Sequence, residues 1–399
     1  MHSSRLIIIA SFLIIHGCAK QTSSSTKHWF KGNLHTHSYW SDGDEFPELI
    51  MDWYKANNYN FVALSDHNIL AEGDKWVTIN DDSIHLQGFN NYLKNYGEEW
   101  VNYKVDSGQI NVKLKTLEEY QNRYEEQGKF LIIKSEEITD HYKNKPIHLN
   151  ATNIQNLIEP QGGNSVIEVL QNNIDAVINQ REATGTPMIP HVNHPNFGYA
   201  IGLQDMVALR GERFFEIYNG HPMVHNFGDS IHISTEEMWD LINIAYIKNN
   251  KPIMYGLATD DSHHYHNNGS QWSNAGRGWI MVRSNELNPK SLIEALEEGE
   301  FYSSTGVELN DINFDNNVIS IDVKKEKDLN YKISFIGCKK GKTIPEELMI
   351  VEGNKASFKI TNDILFVRCK VISSKLHRNP IENLLYESAW TQPIVVNSK

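Results

Sequence analysis

Two runs within Lys31–Asn68 decide the reading of the fold: KGNLHTHSYWSDGDEF (31–46) and NYNFVALSDHN (58–68), with a helical stretch between them. In an extended strand, residues i and i+2 point to the same side. His35-Thr36-His37 therefore aims two imidazoles at one point, the arrangement that a metal ion needs. Asp42 follows in the turn-like tripeptide Ser41-Asp42-Gly43. A second strand, Phe61–Ser65, then delivers Asp66-His67. Between them, Phe46, Leu49, Ile50 and Trp53 recur at helical spacing, with Pro47 at an early helix position. Strand, helix, strand is the opening unit of a parallel α/β architecture.

The same pattern recurs along the chain. KFLIIKSEEIT (129–139) is a strand ending at Glu136-Glu137, of which one faces inward, and Pro146–Leu149 carries His148 between apolar residues. An amphipathic helix over 165–180 puts Val166, Val169, Leu170, Ile174 and Val177 on one face. The strand MIPHVNHP (188–195) ends in His191 and His194, and FFEIYNGH (214–221) embeds Glu216 and ends at Asn219 and His221. Residues 252–258 lead into Thr259-Asp260-Asp261-Ser262-His263, where Asp261 and His263 repeat the i, i+2 geometry. GRGWIMVR (276–283) is a further strand, with Arg277 just before it. Strand–helix alternation thus runs from about 30 to 306, with polar residues at six strand ends, and in a closed α/β barrel such ends converge on one face.

Residues 71–129 interrupt the alternation as a polar insertion, helical over 117–127. Fifteen of the 18 histidines lie between His28 and His266. Beyond Asp311 the chain reads as alternating strands (318–324, 331–338, 356–360, 365–372), which predicts a small antiparallel β-sandwich. The 399 residues carry a net charge of −13, which argues against a grip on long nucleic acid. Arg5 and the apolar run Leu6–Ile15 form a signal-type segment too short for an ordinary membrane span. Gln21–Lys27 reads as a Ser/Thr-rich tether. Cys338 and Cys369 are either a pair or two buried thiols.

HTHSYWSDG, ALSDHN, SEEI, IHLN, NHPN, EIYNG and DDSH, in that order, resemble the motifs of the PHP (polymerase and histidinol phosphatase) superfamily. GRGW and ALEEGEFYSSTG resemble its secreted bacterial branch, histidinol-phosphatase-like or carbaryl-hydrolase-like. The resemblance implies a distorted (β/α)7 barrel over 29–310, followed by the β domain at 311–399. It also implies two or three divalent ions: zinc, manganese or iron. The first would take His35, His37, Glu137 and Asp261. Glu137 would bridge to a second on His148 and His194, and a third would sit on Asp42, His67 and His263. Asp66, Glu216 and Arg277 are the candidate catalytic residues, Asp66 orienting ligands and Arg277 gripping an anionic group. Gly17-Cys18 resembles a lipobox, which implies cleavage after residue 17, a tether over 18–28 and a lipid anchor on Cys18 in the bacterial cell envelope.

Close divalent ions activate water for attack on phosphorus or a carbonyl carbon, and neither GxSxG nor GxxxxGK[ST] occurs. The expected activity is hydrolysis of a small phosphomonoester or phosphodiester. A carboxylic ester or carbamate hydrolase is the alternative, its pocket lined by Trp76, Phe89, Tyr92, Trp100 and Tyr103 of the insertion. A non-catalytic surface binding protein is the third reading.

Overall fold

The computed structural model describes residues 27–381 and 383–395. The signal segment and Cys18 lie outside the described residues. Strand β1 (His28–Asn33), helix α1 (Pro47–Ala56) and β2 (Phe61–Leu64) form the opening unit. The insertion holds β3 (Trp76–Thr78), α2 (Ser83–Tyr96), β4 (Tyr103–Asp106), β5 (Gln109–Lys113) and α3 (Leu117–Tyr124). Next come β6 (Leu131–Tyr142), β7 (Lys145–Thr152), α4 (Val166–Thr184), β8 (Ile189–Val192), α5 (Leu203–Ala208) and β9 (Phe214–Asn219). They are followed by α6 (Thr235–Lys248), β10 (Tyr255–Thr259), β11 (Trp279–Ser284), α7 (Pro289–Glu297) and β12 (Phe301–Ser304). The remainder is strand: β13 (Leu309–Asp315), β14 (Val318–Val323), β15 (Tyr331–Lys339), β16 (Glu346–Glu352), β17 (Lys355–Lys359), β18 (Ile364–Leu376) and β19 (Tyr386–Thr391).

Seven strands run side by side in the order β10-β9-β8-β7-β6-β2-β1. Their ends meet just past the last residues of β1 and β10, where His37 N–H donates to Ser262 O and Asp261 N–H to His35 O, both at 2.9 Å. The pairs β1–β2, β2–β6, β8–β9 and β9–β10 are parallel. The alternation expected from the sequence breaks at β6 and β7, a direct hairpin with Glu137 opposite Asn150 and Thr139 opposite His148. Because β7 runs backwards, its first half lies on the face where the other strands end, which is how His148 arrives there.

The helices cover this sheet through the stripe that their periodicity marks. Val166, Val169, Leu170, Ile174 and Val177 of α4 are all buried, in one cluster with Phe215, Ile217 and Trp239. Caps fix the boundaries: Ser165 and Ser234 accept the N–H groups of Glu168 and Glu237, and Gly185 ends α4 in the left-handed conformation.

The C-terminal strands differ from the separate sandwich that the sequence suggested. Antiparallel β11 and β12 continue the large sheet beyond β1, and β19, β18, β15 and β16 extend it in turn. A separate β13-β14-β17 sheet packs on this extension over Tyr302, Ile319, Ile333, Phe335 and Val371. The physical reason is the open edge of β12, whose unpaired backbone groups take β19 as a partner. Cys338 and Cys369 are buried and free. They face Phe366 and Phe335 across the β15–β18 ladder and belong to different apolar clusters.

Candidate metal centre

Nine side chains of the expected ligand set converge at this face, within clusters whose ligand atoms lie within 4.8 Å of one another. His35 and His37 extend β1, and the turn at 41–43 swings Asp42 back over them. That turn needs Gly43, because a Cβ there would lie 2.6 Å from the His37 carbonyl carbon. His67 follows β2, His194 follows β8, and Asp261 and His263 follow β10. Strand alternation in β6 sends Glu137 inward, whereas Glu136 turns away to accept the Ile158 N–H at 2.7 Å.

The distances have the form of a coordination shell. His35 Nε2 lies 3.4 Å from Glu137 Oε2 and 3.2 Å from Asp261 Oδ1. His37 Nε2 lies 3.3 Å from each of the same two oxygens. A tetrahedral ion with bonds of about 2.0–2.1 Å has ligand-to-ligand edges of about 3.4 Å. The other oxygen, Glu137 Oε1, faces His148 Nδ1 at 3.1 Å and His194 Nε2 at 3.5 Å. Asp42 Oδ1 faces His67 Nε2 at 3.5 Å and His263 Nε2 at 3.4 Å. Glu137 thus presents one oxygen to each of two groups, as a bridging carboxylate does.

The donor set fits divalent cations. His35 Nε2, His37 Nε2, Glu137 Oε2 and His148 Nδ1 are buried without a hydrogen-bond partner, a costly state for polar atoms unless an ion satisfies them. Burial alone would raise the carboxyls of Glu137 and Asp261. The neighbouring imidazoles, His67, His35 and His148 around Glu137 and His35, His37 and His263 around Asp261, hold both well below the usual carboxylate range. Burial opposes the charged form of His67, yet Glu137 and Asp42 push it up to about 11. His37 goes the other way, down to about 3, through burial and the rings of His263 and His67. Three ionised carboxylates among six imidazoles make a site that calls for positive charge.

A second layer holds the ligands in aim. Glu216 Oε1 sits 2.7 Å from His35 Nδ1 and accepts the Thr259 hydroxyl at 2.7 Å, while Oε2 accepts the His194 N–H at 2.8 Å. This is the carboxylate–histidine arrangement that fixes which nitrogen reaches a metal. Glu216 is therefore placed as a positioning residue rather than a catalytic one. Asp66 is placed likewise: its carboxylate accepts Ser38 N–H at 2.8 Å, Ser38 Oγ at 2.8 Å and Ser41 Oγ at 2.6 Å, tying down the loop that carries Asp42. His191 is buried 3.5 Å from Glu216. Sequence reasoning missed Asn193, which donates to Glu137 Oε1 at 2.6 Å, and Thr139, 2.5 Å from His67 Nδ1. Asn193 stood beside His194 and carried that signal; Thr139 carried none. Asp261 has φ 48°, a conformation that Asp tolerates better than most residues and that here serves a ligand position.

Arg277 does not grip an anion. It is fully buried, and its guanidinium donates to Gly220 O at 2.9 Å, Gly269 O at 2.8 Å, Trp272 O, and Asn379 O and Oδ1, both at 3.0 Å. All five donors are used, because the loop at 264–276 and residue Asn379 wrap around it. Arg277→Met is expected to lower folding stability by about 2 kcal/mol or more, with metal content and substrate KM unchanged. Urea unfolding, elemental analysis and steady-state kinetics check this.

The insertion's aromatics are likewise engaged elsewhere. Phe89 and Tyr92 are buried with Trp40, Phe46, Val112 and Leu114. Tyr92 Oη and Trp100 Nε1 both donate to Glu48 at 2.6 Å. None of the five lines the cleft over the cluster. That cleft, about 220 Å³, is walled by Phe197, His221 and Val224 besides the candidate ligands other than His35 and His37.

Three solved structures are similar to this chain. One is a two-domain protein from Bacteroides vulgatus containing a predicted PHP-like metal-dependent phosphoesterase, at 12% identity over 93% of this chain and 95% of that chain, TM-score 0.39. Another is an amidohydrolase from Chromobacterium violaceum, at 12% identity over 58% of this chain and 87% of that chain, TM-score 0.32. The third is a candidate metal-dependent phosphoesterase from Bifidobacterium adolescentis, at 11% identity over 67% and 94%, TM-score 0.30. No protein-family model matches the chain, and no curated protein matches it.

Proposed function

We propose that this chain is a multinuclear metal-dependent hydrolase of small phosphoesters, with the seven-strand run serving as a PHP-type barrel. One observation carries the reading: donor atoms from separate strand ends, several of them buried and unpartnered, stand at coordination-edge distances around Glu137 and Asp261. Bound divalent ions, of which zinc, manganese and iron suit this donor set, supply Lewis acidity and lower the pKa of water.

The protein's own residues do the rest. Glu216 and Thr139 hold His35 and His67 in aim, and Asp66 fixes the Asp42 loop. The cleft leaves one side of the cluster open, which a closed structural metal site would not do. Its volume, about 220 Å³, is below the roughly 300–1,000 Å³ of pockets for drug-sized ligands, so it suits a small substrate head. Among the described residues, no Lys or Arg lines it. Three carboxylates among the ligands leave a net positive charge once two or three divalent ions are bound, and this complements a phosphate better than a neutral ester. The apolar run at 6–15 and Gly17-Cys18 support an envelope lipoprotein, anchored in the membrane through a lipid on Cys18.

The test is elemental analysis of a soluble form beginning near Lys27, followed by a screen of phosphate, carboxylate and carbamate esters on the loaded protein. Two or three transition-metal ions per chain and turnover of phosphoesters alone are expected. A folded protein that takes up no zinc, manganese or iron would end the hydrolase reading. Turnover confined to carboxylic esters or carbamates would move the substrate class.

A further inference from the structure

His221 stands at the rim of the cluster and belongs to none of the ligand groups. It lines the cleft beside Phe197 and Val224, with its ring centroid 5.6 Å from that of His263 and 6.2 Å from that of Phe197. Two local bonds fix its pose. Its backbone N–H donates to Asn219 Oδ1 at 2.8 Å, and Asn219 Nδ2 in turn donates to Asp261 Oδ2 at 3.0 Å. Its Nδ1 accepts the Met223 N–H at 3.2 Å. A ring nitrogen that accepts an N–H bond carries no proton, so the neutral ring holds its proton on Nε2. Nε2 makes no hydrogen bond among the described residues. A fixed donor therefore stands on a cleft wall that otherwise offers Phe197 and Val224.

We propose that His221 is the substrate-binding residue of this cleft, donating from Nε2 to a non-bridging oxygen of the phosphoryl group while binding no metal. The inference rests on the phosphoester reading above and adds to it a protein donor that recognises the anion. The Asn219 link gives the donor a fixed position relative to Asp261. The oxygen it meets therefore belongs to a group already seated at the ligand cluster, and the substrate's organic part lies along Phe197 and Val224.

The experiment compares the metal-loaded wild type with His221→Phe and His221→Gln. Phe keeps a ring and removes the donor; Gln places an amide N–H near the position of Nε2. Folding is checked by thermal unfolding and metal content by elemental analysis. Inorganic phosphate and acetate are titrated calorimetrically. Expected are unchanged metal content in both variants, phosphate affinity down about 10- to 100-fold in His221→Phe, and most of it restored in His221→Gln. Phosphate binding by His221→Phe at wild-type strength overturns the proposal. So does loss of an ion from that variant, which would make His221 a ligand. If the loaded wild type binds acetate but not phosphate, the phosphoester reading falls with the phosphate assignment, and the acetate titrations of the variants then show whether a donor role survives it.

Discussion

Glu137→Gln is expected to remove at least one metal ion per chain and to lower hydrolysis by about 10³-fold or more, equivalent to about 4 kcal/mol of transition-state stabilisation. The substitution keeps the shape of the side chain and removes its charge. Oε2 is the oxygen shared by His35 and His37, and Oε1 faces His148 and His194. Both halves of the cluster lose an anionic donor together. An amide also brings an N–H toward imidazole nitrogens that are arranged to meet a cation. Glu136→Gln is the matched control. Its carboxyl, pushed up to about 8 by burial, lies on the other side of the same strand and accepts only the Ile158 N–H. Metal content and turnover should be unchanged there. Elemental analysis beside steady-state kinetics makes the comparison. Full metal content in Glu137→Gln would remove Glu137 from the centre of the site.

Asp240→Ala is expected to cost about 3–5 kcal/mol of folding stability, the largest stability effect anticipated for a single side chain outside the cluster. Arg368 on β18 is 1% exposed and meets Asp240 of α6 through two bonds of 2.7 Å. Glu236 lies 3.0 Å from the same guanidinium and 2.5 Å from Lys370, and the Trp239 ring lies beneath it, 5.0 Å away. Burial works against the charge of Arg368, but Asp240 and Glu236 hold its pKa well above the usual value. This network fastens the C-terminal strands to the helix layer of the seven-strand unit. Removing Asp240 leaves a buried guanidinium short of its main partner. The double variant Asp240→Leu/Arg368→Met removes both charges, so it should recover much of the loss. Urea midpoints of the three proteins provide the measurement. A cost within about 0.5 kcal/mol, the range of ordinary surface substitutions, would show that the network does not clamp the two parts.

How much was legible depended on how local each signal was. HxH, SDG, SDH and DxH announce their geometry within two to six residues, because a strand's alternation and a turn's chemistry are local. The same holds for α4, whose buried face matches its apolar period; alternation alone left open which of Glu136 and Glu137 faces inward, and the family resemblance pointed to Glu137. Arg277 misled because a long cation before a strand resembles an anion grip until its surroundings are known. Those surroundings include Asn379, 102 residues away.

The sequence by itself indicated a strand–helix series, which the β6–β7 hairpin interrupts, and the His, Asp and Glu residues near strand ends; its net charge of −13 argues against a grip on long nucleic acid. Only the tertiary structure decided the direction of β7, which oxygen of Glu137 meets which imidazole, and that Glu216 and Asp66 hold ligands in place. It also decided that the last strands extend the first sheet rather than standing apart. The reason is physical: alternation and turn chemistry are properties of neighbouring residues. Strand pairing, and the partner that a buried charge finds, depend on segments that neighbouring residues do not specify, such as β12 against β19 or Glu216 against His35.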